Sequence, residues 1–402
     1  MPRRKRQSVT GSSADPGMVS ESASGYGTVL QQQVLHWYAA NGRRLPWRET
    51  QDAYRIWLSE IMLQQTTVAA VIPYFQRFTL RFPTLQSLAA ADVAEVLRYW
   101  EGLGYYSRAR NLHRAAVVIC GEHGGEFPRS VSELQKLPGI GRYTAGAIAA
   151  FAWDLPAPIL EANTERLYAR LLALDEASDS TAGRRQLWQF AESIVPQRRA
   201  GDFNQALMDL GSRICTPTEP HCADCPLAGL CRAREQGRME QFPKRRPRAA
   251  VTELWELAVV LERGGEVLLR QRGLKERWAG LHDFPRLELS AELRREVPCV
   301  QRGTAGQSLF AVEDEPFPDE LQPALAQLTG IRAKALLDTL QTVYSVTRYR
   351  VSLMVVYCAA ETDAEPVTGW GWHPLQSLDE LPLPTTSRKI VNWLQSRARK
   401  SR

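Results

Sequence analysis

Four cysteines crowd into one short stretch of this chain, "CTPTEPHCADCPLAGLC": Cys215, Cys222, Cys225 and Cys231. The spacing is C-x6-C-x2-C-x5-C. Four close thiolates on a tight loop suit a tetrahedral metal or an iron–sulfur cube, in which each iron takes one thiolate. Disulfides are the poorer reading for a cytosolic chain. Spacing alone leaves zinc and the iron–sulfur cluster both open. The other three cysteines, Cys120, Cys299 and Cys358, lie in apolar patterns and read as buried thiols.

A chain of 402 residues exceeds one typical core, so two domains are expected. Residues 1–27 are rich in Ser, Gly and charge and are expected to be disordered. From 28 to 233 apolar residues recur at three- and four-residue steps, as in "YRIWLSEIMLQQTTVAAVIPYFQRF" and "RARNLHRAAVVIC", the signature of helices. After a basic linker, 234–250, the texture changes. "ELWELAVVLERGGEVLLRQR" reads as two strands around a Gly turn, and "TLQTVYSVTRYRVSLMVVYCAA" is again strand-like. "SRKIVNWLQSRARK" reads as a closing helix, so residues 251–402 form a separate α/β domain.

The formal net charge of +6 favours a polyanionic partner only weakly. The runs "RRKR" at the start and "PKRRPR" at Pro243–Arg248 read as solvated charge or as phosphate contacts. No apolar run approaches the roughly 18 residues of a membrane span. The basic N-terminus lacks the hydrophobic core of a secretory signal, so a cytoplasmic location is expected.

Two motifs carry candidate chemistry. In "LPGIG", Gly139 and Gly141 allow a tight turn whose following helix can offer amides to a phosphate oxygen. The bland alternative is a plain helix–helix connection. Glu60 sits beside Trp57, Leu58, Ile61 and Met62, surroundings that disfavour a charged carboxyl and raise its pKa. The bland alternative there is a glutamate on the solvent face of an amphipathic helix.

The cysteine spacing, preceded by "FNQALMDLGSRIC" and lying downstream of "LPGIG", resembles the helix-hairpin-helix DNA glycosylases of the endonuclease III superfamily. Within it, "WLSEIMLQQT", "LPWR", "GLGYYSRARNLH" and "FNQALMDLG" are similar to the MutY family of adenine DNA glycosylases, across residues 36–231. The resemblance implies a two-lobed all-α glycosylase domain, with hairpin 137–141 and cluster loop 215–231, followed by a Nudix-like α/β domain. It favours a [4Fe-4S] cluster over zinc, as a structural element that presents basic residues, here Arg213, Arg232 and Arg234, to DNA. It implies that Glu60 protonates the departing adenine, that Gln65 and Tyr105 wedge into the duplex, and that Trp47, Arg48 and Gln205 line the adenine pocket. The implied partner is double-stranded DNA carrying adenine opposite 8-oxoguanine or guanine, bound by a monomer.

Two departures from the family pattern and two contrasts with related enzymes matter. Where the family has "LDGNV", with an Asp that stabilises the sugar cation, this chain has "LEANT": Asn163 is kept, but Glu161 and Ala162 replace Asp and Gly. Glu161 either does the Asp's work, with Asn163 ordering the site, or is only a helix-start acid. A third reading is a crippled site on a non-catalytic mismatch-binding protein. Tyr143 stands where lyase relatives carry a Schiff-base lysine, and no lysine occurs from 137 to 243, which points to hydrolysis without strand cleavage. Tyr143 is a candidate for a hydrogen bond near the sugar. Lastly, "EVLLRQRGLKERWAGLHDFPRLEL" resembles the opening of a Nudix fold, but no Glu-rich magnesium-binding helix follows, so pyrophosphatase activity is not expected. The family's 8-oxoguanine-reading "FSH" loop corresponds to Tyr344, Ser345 and Val346, with Val in place of His. A brown protein with broad visible absorbance is the expected result for the cluster; a colourless protein holding zinc by elemental analysis would contradict it.

Overall fold

The structure is a computed structural model that describes residues 18–247, 250–297, 315–361 and 364–400. Cys299 and residues 1–17 lie outside the described residues. The first helix runs Met18–Asn41, so the last part of the segment expected to be disordered is helical. Its apolar stripe explains the difference. Leu30 and Val34 are fully buried, and Tyr26 packs against the same core and donates to the Leu230 carbonyl.

The chain divides into two compact units. The first comprises the residues up to Glu60, Phe127–Lys136 and Ile140–Arg246. Its core is built by the helices Met18–Asn41, Ala162–Leu172, Thr181–Ile194 and Ala200–Arg213, which bury Leu30, Leu167, Leu171, Leu187, Phe203 and Leu207. The helices 162–172 and 200–213 approach closely at Gly211, where a Cβ would lie 2.7 Å from the Asn163 Cβ. Any larger residue there would push the start of helix 162–172 away. The basic run after the cysteines is paired. Lys244 reaches Asp175 at 2.6 Å, Arg245 reaches Glu165 at 3.2 Å, and Arg246 bonds to Asp179. These largely exposed pairs also fasten the run weakly to its own unit.

The second unit comprises Ile61–Glu126, Leu137–Gly139 and the chain from Pro247 on. It therefore joins a helical segment to the C-terminal α/β domain, across the division expected at 234–250. Three contacts account for this. Arg388 grips Glu101 at 2.6 and 3.0 Å, Tyr106 donates to the Leu383 carbonyl, and Arg110 donates to the Ala279 carbonyl.

The sheet of this unit contains β1 (Thr252–Arg263), β2 (Glu266–Gln271), β3 (His282–Asp283), β4 (Arg286–Glu288), β5 (Glu315–Pro316), β6 (Ala333–Val346), β7 (Tyr349–Ala360) and β8 (Trp370–Pro374). The order is β3-β2-β1-β7-β6-β5, with β4 on β1 and β8 on β2. β1 and β7 are parallel from Thr252/Tyr349 to Glu262/Ala359, and the other pairs are antiparallel. Both faces of β1 are buried, as its period-two side chains require. Leu257, Val259 and Leu261 pack with Leu325 of the helix Gln322–Thr329; Ala258 and Val260 pack with Ile390, Val391 and Leu394 of the helix Thr385–Lys400. The single strand-like stretch read from 339 to 360 is two strands, β6 and β7, turning at Thr347 with φ 51°. The turn carries Thr and Arg rather than the Asn-Gly type that signals a hairpin.

A buried ionic cluster pins this sheet to its last helix. Arg286, in β4, meets Asp283 at 3.0 Å and Glu256 at 3.4 Å and donates to the hydroxyls of Thr386 and Ser387. Arg272 adds a second guanidinium to Asp283 at 2.7 Å. Removing one partner of such a cluster leaves a buried charge uncompensated. Arg286→Ala is expected to destabilise the C-terminal domain by about 3–5 kcal/mol, read from the urea midpoint by tryptophan fluorescence; a midpoint equal to wild type would contradict this.

Candidate active site

Three titratable side chains meet in the first unit. Glu60 projects from the helix Ala53–Leu63 and is only 3 % exposed. Trp57, one turn before it, is fully buried against Phe127. The Tyr143 hydroxyl donates to Glu60 Oε2. Tyr143 stands in the first turn of the helix Arg142–Trp153, two residues past its N-cap, Gly141. Glu161 is itself the N-cap of the helix Ala162–Leu172. Its Oε2 accepts from the Asn163 backbone N–H at 2.9 Å and from Asn163 Nδ2 at 3.2 Å; its Oε1 accepts from the Thr164 N–H at 2.9 Å. Thr164 returns a bond to the Glu161 backbone, closing a capping box. Asn163 Oδ1 in turn accepts from Arg166 at 2.9 Å.

The surroundings of the two acids differ. Burial raises the Glu60 carboxyl to about 7, against the pull of the Tyr143 hydroxyl and Arg48 and with a small push from Glu161. Burial also holds Glu161 above the ordinary carboxyl range, and the amides of Asn163 and Thr164, the Arg166 guanidinium and the Asn163 side chain offset only part of that rise. Donated N–H bonds favour the ionised form. Tyr143, buried beside both acids, keeps its phenolic proton well above the ordinary range. Glu161 is thus a helix-start acid and a neighbour of Glu60 and Tyr143 at once.

The expected pocket residues are anchored by protein partners. Trp47 is buried. Arg48 reaches both oxygens of Asp209, at 2.9 and 3.0 Å, and Arg43 reaches the same carboxylate at 2.7 Å. Burial works to raise Asp209, yet the two arginines outweigh it and hold the carboxyl below the ordinary range. Gln205 Oε1 accepts from the Tyr38 hydroxyl at 2.6 Å. Asp209 escaped sequence reasoning although it lies one helical turn past Gln205 in "FNQALMDLG", on the same face.

The thiols of Cys215, Cys222, Cys225 and Cys231 line one cavity with Leu167, Ile214 and Met239. The described cysteines are all free; Cys358 is buried and Cys120 is only partly so. No His, Cys, Asp and Glu side chains among the described residues are grouped as a single metal ion needs. Arg170 donates to Cys215 Sγ at 3.2 Å and to the Thr216 carbonyl at 2.7 Å, and Arg166 donates to the Cys215 carbonyl at 2.6 Å. Burial raises the Cys225 thiol to about 11 and also raises Cys231. Nearby, Arg232 and Arg234 are exposed, and Arg213 donates to the Asn41 carbonyl.

In the second unit, Gln65 and Tyr105 are exposed with φ of 58° and 49°. Gly139 has φ 76°, and a Cβ there would lie 2.7 Å from Asn111 Cβ, so glycine is required. Gly141 is extended with open space around it, so only one of the two hairpin glycines is dictated by the turn itself. Tyr344, partly buried, donates to Glu256 Oε2 at 2.7 Å and accepts from Arg277 at 3.1 Å, while Ser345 is exposed.

A raised carboxyl has a thermodynamic consequence. The folded state binds the Glu60 proton more tightly than the unfolded chain, so this stabilisation is complete below about 4.5 and is lost as pH rises through about 7. The loss is about 3 kcal/mol. Glu60→Gln is expected to shrink the drop in urea midpoint between about pH 5 and about pH 8; equal drops in both proteins would contradict a buried, proton-holding Glu60.

Residues 58–193 match the HhH-GPD superfamily of base excision DNA repair proteins, and residues 256–393 match the NUDIX domain. The chain is 39 % identical over 261 residues to the adenine DNA glycosylase of Buchnera aphidicola subsp. Schizaphis graminum (strain Sg), covering 65 % of this chain and 75 % of that protein. It is 37 % identical over 326 residues to the adenine DNA glycosylase of Homo sapiens, covering 67 % of this chain and 60 % of that one. Among solved structures, a thermostable thymine-DNA glycosylase aligns over 54 % of this chain and all of its own, with 28 % identity and a TM-score of 0.50. By these relatives the chain belongs to the adenine DNA glycosylase family.

Proposed function

We propose that this protein hydrolyses the N-glycosidic bond of adenine in mispaired DNA, with Glu60 as proton donor and Glu161 as the carboxylate facing the sugar. It is a monofunctional adenine DNA glycosylase of base excision repair. The finer substrate we assign is adenine opposite 8-oxoguanine or guanine. One observation carries the site assignment: a buried carboxyl raised to about 7 accepts from Tyr143, and a second carboxyl, held by helix amides, is near enough to act on both electrostatically.

The base must first leave the stack. Gln65 and Tyr105 occupy the space it vacates, and the hairpin at Gly139 and Gly141 holds the backbone through phosphate contacts. Adenine then enters a pocket walled by Trp47, with Arg48 and Gln205 held in place by Asp209 and Tyr38. An acid whose pKa lies near the working pH is best matched to donate a proton, and Glu60 meets that condition. As its proton passes to the base, the bond from the Tyr143 hydroxyl stabilises the carboxylate that forms. The C–N bond breaks with its electrons going to the base, leaving a sugar with oxocarbenium character. Glu161, whose ionised form two amides and the Asn163 side chain favour against its burial, offsets that charge. Water adds to the sugar carbon and loses a proton, and an abasic site remains. No lysine lies between 137 and 243 to form a Schiff base.

Cys215, Cys222, Cys225 and Cys231 are assigned to a [4Fe-4S] cluster, supported by their spacing and their common cavity. When bound, the cluster supplies rigidity rather than base chemistry. Arg213, Arg232 and Arg234 then face phosphates, and Tyr344 and Ser345 read the base opposite adenine, with Val346 in place of the family's His.

A second reading, mismatch binding without excision, draws on the fact that both Glu161 oxygens are already occupied by helix amides. A duplex with one A:8-oxoguanine pair separates the two. Wild type is expected to yield strand breaks only after hot alkali. Glu60→Gln is expected to slow adenine release by about 100- to 10,000-fold, and Glu161→Gln by about 100-fold or more, with Glu161→Asp active. Binding without any abasic product would favour the binder, and breaks without alkali would mean lyase chemistry.

A further inference from the structure

The segment Ile61–Glu126 contains two non-glycine residues with left-handed backbone among its described residues, Gln65 and Tyr105. Such conformations cost energy and persist only where the surroundings hold them. Both side chains are exposed, so no packing of their own explains the strain. One side chain touches both turns. Arg108 Nη1 donates to the carbonyls of Ile61 at 2.7 Å, Met62 at 3.2 Å and Gln64 at 2.6 Å. Its Nη2 donates to the carbonyls of Leu103 and Gly104, both at 3.2 Å. The guanidinium also lies 5.5 Å from the Tyr105 ring and 5.4 Å from the Trp100 ring. No carboxylate pairs with Arg108 among the described residues, and its buried Nε has no partner there.

We infer that Arg108 is a positioning residue that ties the turn ending in Gln65 to the turn ending in Tyr105 and so sets the two side chains as one rigid pair. This rests on the reading of Gln65 and Tyr105 as the residues that enter the duplex. The five carbonyl acceptors are the chemical signature. A half-buried guanidinium aimed only at carbonyls contributes orientation, because its planar fork has fixed donor directions. Two of the five carbonyls immediately precede the left-handed residues: Gln64 before Gln65, and Gly104 before Tyr105. Each peptide plane is therefore held at the bond that sets the strained residue's φ. Lysine, with a compact ammonium, cannot span both turns.

The test uses the full-length protein with Arg108→Gln and Arg108→Lys. Hydrogen exchange is measured at the amides around 62–66 and 103–106. Single-turnover adenine release is measured on two duplexes. In one the adenine is fully stacked between paired neighbours; in the other the flanking bases are unpaired, so the stack is already open. Arg108→Gln is expected to speed exchange at both turns together and to slow release from the stacked duplex by about 100-fold. Release from the open duplex should fall far less, and Arg108→Lys should be intermediate. Unchanged exchange at either turn, or equal slowing on both duplexes, would overturn the inference. If wild type releases adenine from neither duplex, the glycosylase reading fails by itself, and the exchange result still decides whether Arg108 ties the turns. Should Arg108→Gln not fold, the same two comparisons are made with Arg108→Lys.

Discussion

Two buried guanidiniums on one helix organise the first unit. Arg166 and Arg170 project from Ala162–Leu172 and spend their donors almost entirely on carbonyls: those of Cys215, Gly211, Thr216 and Pro217, with Met239 and Phe242 beyond. The same helix begins at Glu161. One rigid element therefore carries the acid of the candidate site at its start and grips the cysteine loop from its second and third turns.

Glu60 and Glu161 have the same side chain and opposite assignments, and only environment separates them. Glu60 lies in an apolar helix with a phenol as its hydrogen-bond partner, whereas Glu161 receives two backbone amides and an Asn side chain. Desolvation raises both carboxyls, and at Glu161 the N–H donors offset part of that rise. The extra methylene of Glu relative to the family's Asp does not prevent this, because the reciprocal Thr164 contact lets the longer side chain fold back onto its own helix.

Recurring arginine-to-carbonyl bonds mark what was hard to read in advance. Arg108, Arg166 and Arg170 stood in the sequence as ordinary helix charges, and nothing in their spacing singled them out. Their partners are backbone atoms, in most cases 40 residues or more away along the chain. A side chain that binds another residue's backbone leaves no pairing signal in residue types. Asp209 differs: an acid on the same face as Gln205, in a helix otherwise apolar at that turn, was open to notice, and Arg43 and Arg48 upstream supply its charge.

By itself the chain's order of residues determined the helical first part, the α/β second part, the cysteine loop and the apolar surroundings of Glu60. Each of these is a local pattern of hydrophobic period or ligand spacing, written within a few turns. Only the tertiary structure decided that Tyr143 bonds Glu60, that Glu161 is a capped acid beside them, and that Arg48 is engaged by Asp209. It also decided that the helical segment 61–126 shares a compact unit with the C-terminal sheet, through Glu101, Tyr106 and Arg110. The physical reason is common to all of these. A pKa, a cap and an interdomain bond depend on what fills the few ångströms around an atom, and those neighbours come from distant parts of the chain.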